Sequence, residues 1–407
     1  MRTRQQVVNA AIYLFFSVAG SALGFGAVVV LTRLIAPHEY GRIGLFLSML
    51  YFITPLVSLS CDGLIAVNKT TLAPERYQRF QQTCVGLGIA CFAVCETVML
   101  SLLAAGLIKD WLLTVAPLFA LVRLFTGIAG TEYIAEQRAM MYGSLMVANS
   151  ALALALTVVF AHWVGESGAY RILAMLLADL ALLAVRYWGR LHLLFSPRLR
   201  TEFTRQILQF GIPSGIAVAG GWALNESDKV IVATTLGMES VGIYTAAAAL
   251  AGIMMTFNQA LTNALYPGLF RSLASGERTV RRVMSRYIAG FTAVSFLFAL
   301  CGILVYLLFA DRILPARYLG ANQLFIALML SGVVVSFYRP FGLVADYHKL
   351  ARTRAIALIV GGLVTVSISY FGVRSGNLIW APVGIAGGYL TAAAVLLTGI
   401  NAASTSK

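Results

Sequence analysis

Seven ionisable side chains stand in stretches otherwise apolar enough to cross a bilayer: Asp62, Glu96, Arg123, Asp179 and Arg339, with Glu226 and Asp228 at the end of one such stretch. A charge there costs roughly 2.5–3.5 kcal/mol on insertion scales, so each is expected to face a partner or a hydrated cavity. Arg123 lies twelve residues after Trp111 and nine before Glu132. At ~1.5 Å per residue it is too deep to reach either interface. Its planar guanidinium could line a lumen and grip phosphate or an acidic sugar, or it could pair with Glu96 or Asp179. Arg339 is seven residues from Asp346, so reaching the interface competes with a lumen role. Glu96 and Asp179, near the middle of their helices, are expected as ion-coupling groups or charge partners, because desolvation favours proton loading. Asp179 also has Arg171 and Arg186 within about two helical turns, which favours pairing. Asp62 is placed with the same pair, although Lys69 seven residues on suggests anchoring at the interface.

A second constellation is neutral. Asn258 and Thr262 are four residues apart, as are Gln259 and Asn263, forming one polar helical stripe that ends at Tyr266 and Pro267. In a lipid-embedded helix such a stripe faces other helices or a lumen, where hydroxyl-rich ligands would find partners. Ser17, Gly20, Ser21 and Gly24 suit close helix packing. Cys61, Cys84, Cys91, Cys95 and Cys301 all fall in apolar stretches without a His or further Cys cluster. They are expected as packing residues and not as metal ligands, and no cofactor is implied.

The elements that must position these groups are long helices. Of 407 residues, 59% are hydrophobic and 11% charged, far from the composition of a water-covered surface. A helix needs roughly 20 apolar residues to cross the hydrocarbon core. Such stretches recur near 8–34, 43–66, 80–107, 111–131, 143–162, 170–188, 206–228, 241–265, 283–309, 320–344, 354–373 and 382–401. The first is too long for the apolar region of a secretory signal and is expected to be retained.

The net charge of +14 would suggest nucleic acid in a water-soluble chain. With the N-terminus cytoplasmic, 20 of the 30 Lys and Arg residues fall in the tails, the cytoplasmic loops and the helix ends beside them. Eight lie on the opposite side and two, Arg123 and Arg339, lie deep inside spans. The excess therefore encodes orientation, with both termini cytoplasmic and no nucleic-acid partner.

Shifting the sequence by 201 residues lays Ile35-Ala36-Pro37-His38-Glu39-Tyr40-Gly41 over Leu236-Gly237-Met238-Glu239-Ser240-Val241-Gly242, and Leu72-Ala73 over Leu273-Ala274. Arg123-Leu124-Phe125 is echoed by Arg339-Pro340-Phe341, each followed by an acidic-Tyr pair, Glu132-Tyr133 and Asp346-Tyr347. These matches predict an all-α polytopic membrane protein in two parallel six-helix bundles, related by a pseudo-twofold axis along the membrane normal. The bundles are 1–195 and 206–407, joined by a basic cytoplasmic linker at 196–205. Two such bundles suit rocking about a central cavity. The loops are short and hold no Gly-rich phosphate cradle, HExxH or Walker A sequence, so neither an enzyme nor an ATP-driven pump is expected.

Leu31-Thr32-Arg33-Leu34-Ile35-Ala36-Pro37-His38-Glu39-Tyr40-Gly41 resembles the L-x-R-x-L-x-P-x-x-Y-G turn of bacterial polysaccharide flippases. These are the O-antigen and repeat-unit exporters of the multidrug/oligosaccharidyl-lipid/polysaccharide superfamily. Leu208-Gln209-Phe210-Gly211-Ile212-Pro213, Asp228-Lys229 and Val241-Gly242-Ile243-Tyr244 are similar to its second half. The resemblance implies movement of an undecaprenyl-pyrophosphate-linked oligosaccharide between leaflets of the bacterial inner membrane by alternating access, for O-antigen or other surface polysaccharide. It also implies a coupling cation, proton or sodium, and as partners a polysaccharide polymerase and chain-length regulator. Multidrug exporters resembling this fold usually carry an acidic residue in helix one, and residues 8–35 contain none. Lipid II flippases have about fourteen spans and basic residues deep in helix one, whereas here only Arg33 stands at its end. An ion-coupled drug or metabolite exporter and a non-transporting subunit of a glycan-assembly complex are the rival readings. The motifs mark architecture, so the lumen assignments of Arg123, Arg339, Asn258, Gln259, Thr262 and Asn263 rest on the physical argument.

Overall fold

The computed structural model describes residues 2–187, 200–275 and 280–405, and over these the chain is almost wholly helical. In order, the helices are α1 (Arg2–Leu34), α2 (Pro37–Ser58), α3 (Asp62–Thr71), α4 (Pro74–Ala104), α5 (Ala116–Ala135), α6 (Ala139–Trp163) and α7 (Gly168–Tyr187). They continue as α8 (Thr201–Asn225), α9 (Ser227–Leu236), α10 (Met238–Ala274), α11 (Val280–Ile313), α12 (Ala321–Tyr347), α13 (Ala351–Val373) and α14 (Trp380–Thr405). Twelve spans among the described residues are long and apolar enough to cross a membrane, as expected. Helices satisfy their own backbone groups, which hydrocarbon requires. Large apolar side chains such as Leu308, Phe371 and Trp163 are accordingly left on outer faces where lipid is the solvent.

Two spans are broken, one inside the stretch expected at 43–66 and one at the end of the stretch expected at 206–228. Between α2 and α3, Leu59 and Ser60 adopt left-handed backbone with φ of 49° and 48°, and α3 carries the chain on to Thr71. Between α8 and α9 the chain leaves helical geometry at Glu226 and resumes to Leu236. The polar residues that suggested an end are instead satisfied within the protein. Lys229 bonds Glu226 at 2.7 Å, and Tyr244 donates to the buried Asp228.

The chain forms two compact units that follow packing rather than the halves 1–195 and 206–407. The first holds residues 1–27 and 46–218, and the second 28–45 and 219–407. Within the expected linker, 196–199 lie outside the described residues, and α8 begins at Thr201. Specific contacts account for both exchanges. In the first unit, Glu202 pairs with Arg76, Phe203 meets Phe80 edge-on, and Gly211 lies so close to Leu59 that a methyl group there would come 2.6 Å from its carbonyl oxygen. These join a core of Ile65, Phe80, Cys84, Leu124, Ile128 and Ile207.

In the second unit the last carbonyls of α1, which lack helical donors, are capped from the turn after α11. Arg317 reaches Thr32 O at 2.8 Å and Arg33 O at 2.7 Å, and Tyr318 Oη reaches Ile35 O at 2.9 Å. The repeated turn motif has its explanation here. A methyl group on Gly41 would overlap Met238 O, and one on Gly242 would overlap Pro37 O. Each glycine thus admits the first turn of the other's helix, and both turns need it.

Candidate functional site: two polar chambers

A chamber of about 640 Å³ opens in the first unit, lined by α2, α3, α5, α6 and α7. Arg123, projecting from α5, lies 3.6 Å through Nε from Asp179 Oδ2 on α7. Its guanidinium also sits 5.1 Å from the centre of the Phe119 ring. Asn149 of α6 donates to the other Asp179 oxygen at 2.7 Å. Asp62, at the start of α3, lines the same space. Gly127 lies beside it, its ideal Cβ position 3.4 Å from Asp62 Oδ1. Thus Asp62, Arg123 and Asp179 line one chamber, with Arg123 paired to Asp179.

Arg171 and Arg186 do not neutralise Asp179. Arg171 bonds Ala153 O and Thr157 Oγ1 at 2.9 Å, while Arg186 bonds Glu132 at 3.0 Å. Glu132 is buried and also accepts from Tyr77 Oη and Gln81 Nε2. Lys69 pairs with Glu136 at 3.1 Å and lies 3.8 Å from Glu132. That cluster, beside a cavity of about 750 Å³, ties α3, α4, α5 and α7 together. It leaves Asp62 away from the anchoring role that Lys69 suggested.

The second chamber, about 530 Å³, lies in the second unit among α10, α12, α13 and α14. Arg339 donates through Nη1 to Gln259 Oε1 at 2.7 Å, and Gln259 donates to Asn263 Oδ1 at 3.0 Å. Arg354 grips both oxygens of Asp346 at 2.6 and 2.7 Å. Among the described residues Arg339 forms no ion pair within 4 Å, and its one hydrogen bond is to a neutral amide. Tyr338 and Tyr389, with ring centres 5.2 Å apart, complete the wall.

Four of the expected lumen residues, Arg339, Gln259, Thr262 and Asn263, therefore line one chamber. Asn258 does not. It is fully buried, donating to Gly332 O at 2.9 Å and accepting from Ser295 Oγ at 3.0 Å, so it joins α10 to α12 and α11. Its position on the stripe matched Thr262, but the two face neighbouring helices and Thr262 returns its hydroxyl to Asn258 O. Glu96 stands apart from both chambers, on α4, with Oε2 buried and unbonded, and it does not meet Arg123. Sequence reasoning passed over Asn149, Tyr338, Arg354 and Glu132 as site residues. The echo of acidic-Tyr pairs was the available signal, since Glu132 and Asp346 are each held by an arginine.

Twelve spans and two compact units define an all-helical membrane protein of the expected architecture. A multidrug resistance MATE family transporter of the MOP superfamily, in an inward-facing conformation, matches with a TM-score of 0.67 and 18% identity over 97% of this chain and 99% of that one. A MATE in complex with MaD3S matches at 0.61 and 19% over 98% and 96%. The lipid II flippase MurJ, inward closed, matches at 0.61 and 12% over 95% and 87%. No curated protein matches by sequence. Residues 30–320 match the family model described as polysaccharide biosynthesis protein, and the chain belongs to that family.

Proposed function

We propose that the protein is a flippase that carries an undecaprenyl-pyrophosphate-linked oligosaccharide from the cytoplasmic to the periplasmic leaflet of the bacterial inner membrane, with both termini cytoplasmic. Family membership supplies the polysaccharide context, and the fold is one used by membrane transporters. The observation that carries the reading is Arg339, a guanidinium without a counter-ion in a chamber walled by amides and phenols. An unpaired intramembrane cation is costly and is retained where it meets an anionic ligand. The first chamber differs, because Asp179 is paired with Arg123, the lining Arg186 is held by Glu132, and Asp62 forms no ion pair within 4 Å among the described residues. It is our choice for the coupling cation, proton or sodium, with Asp62 the exchanging carboxylate and Asp179 its charge-paired neighbour.

In cells lacking the chromosomal copy, the wild-type chain restores surface polysaccharide. Arg339→Gln, at normal membrane abundance, leaves about a tenth of it or less, equivalent to losing ~1.4 kcal/mol or more of cargo interaction. Asp62→Asn lowers it similarly by removing the exchangeable charge. Full polysaccharide with both variants contradicts the reading, and drug resistance without any polysaccharide effect supports an exporter instead.

A further inference from the structure

We infer that the chamber of the second unit recognises a carboxylated sugar of the glycan, a hexuronate or similar acidic pyranose, with Arg339 as its carboxylate ligand. This rests on the flippase reading and assigns one part of the cargo to one chamber. Arg354 is neutralised by Asp346 through two hydrogen bonds, so the chamber holds one uncompensated positive charge, that of Arg339. A carboxylate brings one negative charge and matches it. A pyrophosphate diester brings two and would leave one unbalanced where screening by water is weak.

Shape agrees. Gln259 holds Arg339 through a single Nη1 bond, leaving the rest of the planar fork for a bidentate partner. The neutral groups suit a sugar ring. Tyr338 is 94% buried, and its hydroxyl has only the Arg354 guanidinium beside it, short of a well-formed hydrogen bond, whereas Tyr389 is satisfied by Asn225 at 2.9 Å. A buried hydroxyl without a well-formed hydrogen bond costs free energy unless a ligand supplies one. Asn263 accepts from Gln259 through Oδ1, which turns its two amide hydrogens to donation. Tyr266, exposed at the same wall, offers an aromatic face to the apolar side of a pyranose. Gln259 is then a positioning residue, and Tyr338 and Asn263 read ring hydroxyls.

The test uses the full-length protein in nanodiscs with three soluble probes: a glucuronosyl-glucose disaccharide, its carboxyl methyl ester, and inorganic pyrophosphate. The acid is expected to bind about tenfold tighter than the ester, the size of one charge-assisted contact. Arg339→Gln brings the acid down to the ester's affinity. Gln259→Glu, nearly isosteric and bearing its own carboxylate against Arg339, removes the preference for the acid while ester binding stays. Tyr338→Phe weakens acid and ester together by about threefold, as for one lost hydrogen bond. Equal binding of acid and ester, absence of binding by the acid, or Arg339-dependent binding of pyrophosphate in preference to the acid each overturns the assignment. Flipping of lipid-linked cargo measured alongside separates the two levels. Intact flipping without a preference for the acid overturns this inference alone, and a preference without flipping overturns the transport reading alone.

Discussion

Arg123 and Arg339 occupy echoed positions, but Arg123 meets the carboxylate of Asp179 and Arg339 meets amides and phenols. The difference lies in partners that come from other helices, which sequence spacing on one helix does not reveal. The pairing of Arg123 with Asp179 was one of two readings open from depth alone. Asn149, which completes it, has no charge to mark it within its span. Asn258 and Thr262 share a face by spacing, but only neighbouring helices decide that Asn258 is buried glue. For the pair itself, Asp179→Asn leaves the Arg123 guanidinium without its ion-pair partner. It is expected to destabilise the detergent-solubilised protein by on the order of 2 kcal/mol. The double change Arg123→Gln with Asp179→Asn recovers part of that loss. Thermal unfolding of the four proteins measures the coupling, and strictly additive losses contradict it.

Two devices matter at the scale of elements: broken spans and glycine-mediated crossings. Leu59 and Ser60 hold left-handed backbone without being glycine, and their surroundings must fix it, Gly211 included. The sequence located all twelve spans, because apolar length is a strong signal, although some ends lie up to about nine residues away, as at Ala274. It missed the breaks because Asp62 stands inside an otherwise continuous apolar stretch, and Asp228-Lys229 reads as the end of its span until their partners are known. The Gly41 and Gly242 motif was visible as a repeat, while its cause, reciprocal contact with Met238 O and Pro37 O, needed coordinates. Gly242→Ala must push α10 from α2 against rigid backbone. The expected result is a loss of folded protein in the membrane several times larger than for Gly252→Ala, which has open space around its added methyl. Fluorescence-detected chromatography of tagged variants reads this directly, and equal yields would contradict the packing account.

For the whole molecule, hydropathy and charge asymmetry carry the prediction of topology. Twelve spans with cytoplasmic ends place Lys109, between α4 and α5, outside and Gln137, between α5 and α6, inside. Alkaline phosphatase fused at 109 should be active and at 137 inactive, with a fluorescent protein bright at the C-terminus. The reverse pattern would invert the direction assigned to transport. Composition could not reveal the assignment of α1 and α8 residues to compact units, because it depends on individual caps such as Arg317 and Tyr318.

The central claim is that this chain moves a lipid-linked glycan and holds it through Arg339. Proteoliposomes carrying undecaprenyl-pyrophosphate-linked oligosaccharide of a lectin-binding sugar on the inner leaflet measure it most directly. The account predicts that wild-type protein exposes the sugar to external lectin with time under a cation gradient, that Arg339→Gln slows exposure about tenfold or more, and that Arg123→Gln, whose charge is already paired, slows it less. Exposure at the protein-free rate with wild type, or at the wild-type rate with Arg339→Gln, would contradict it.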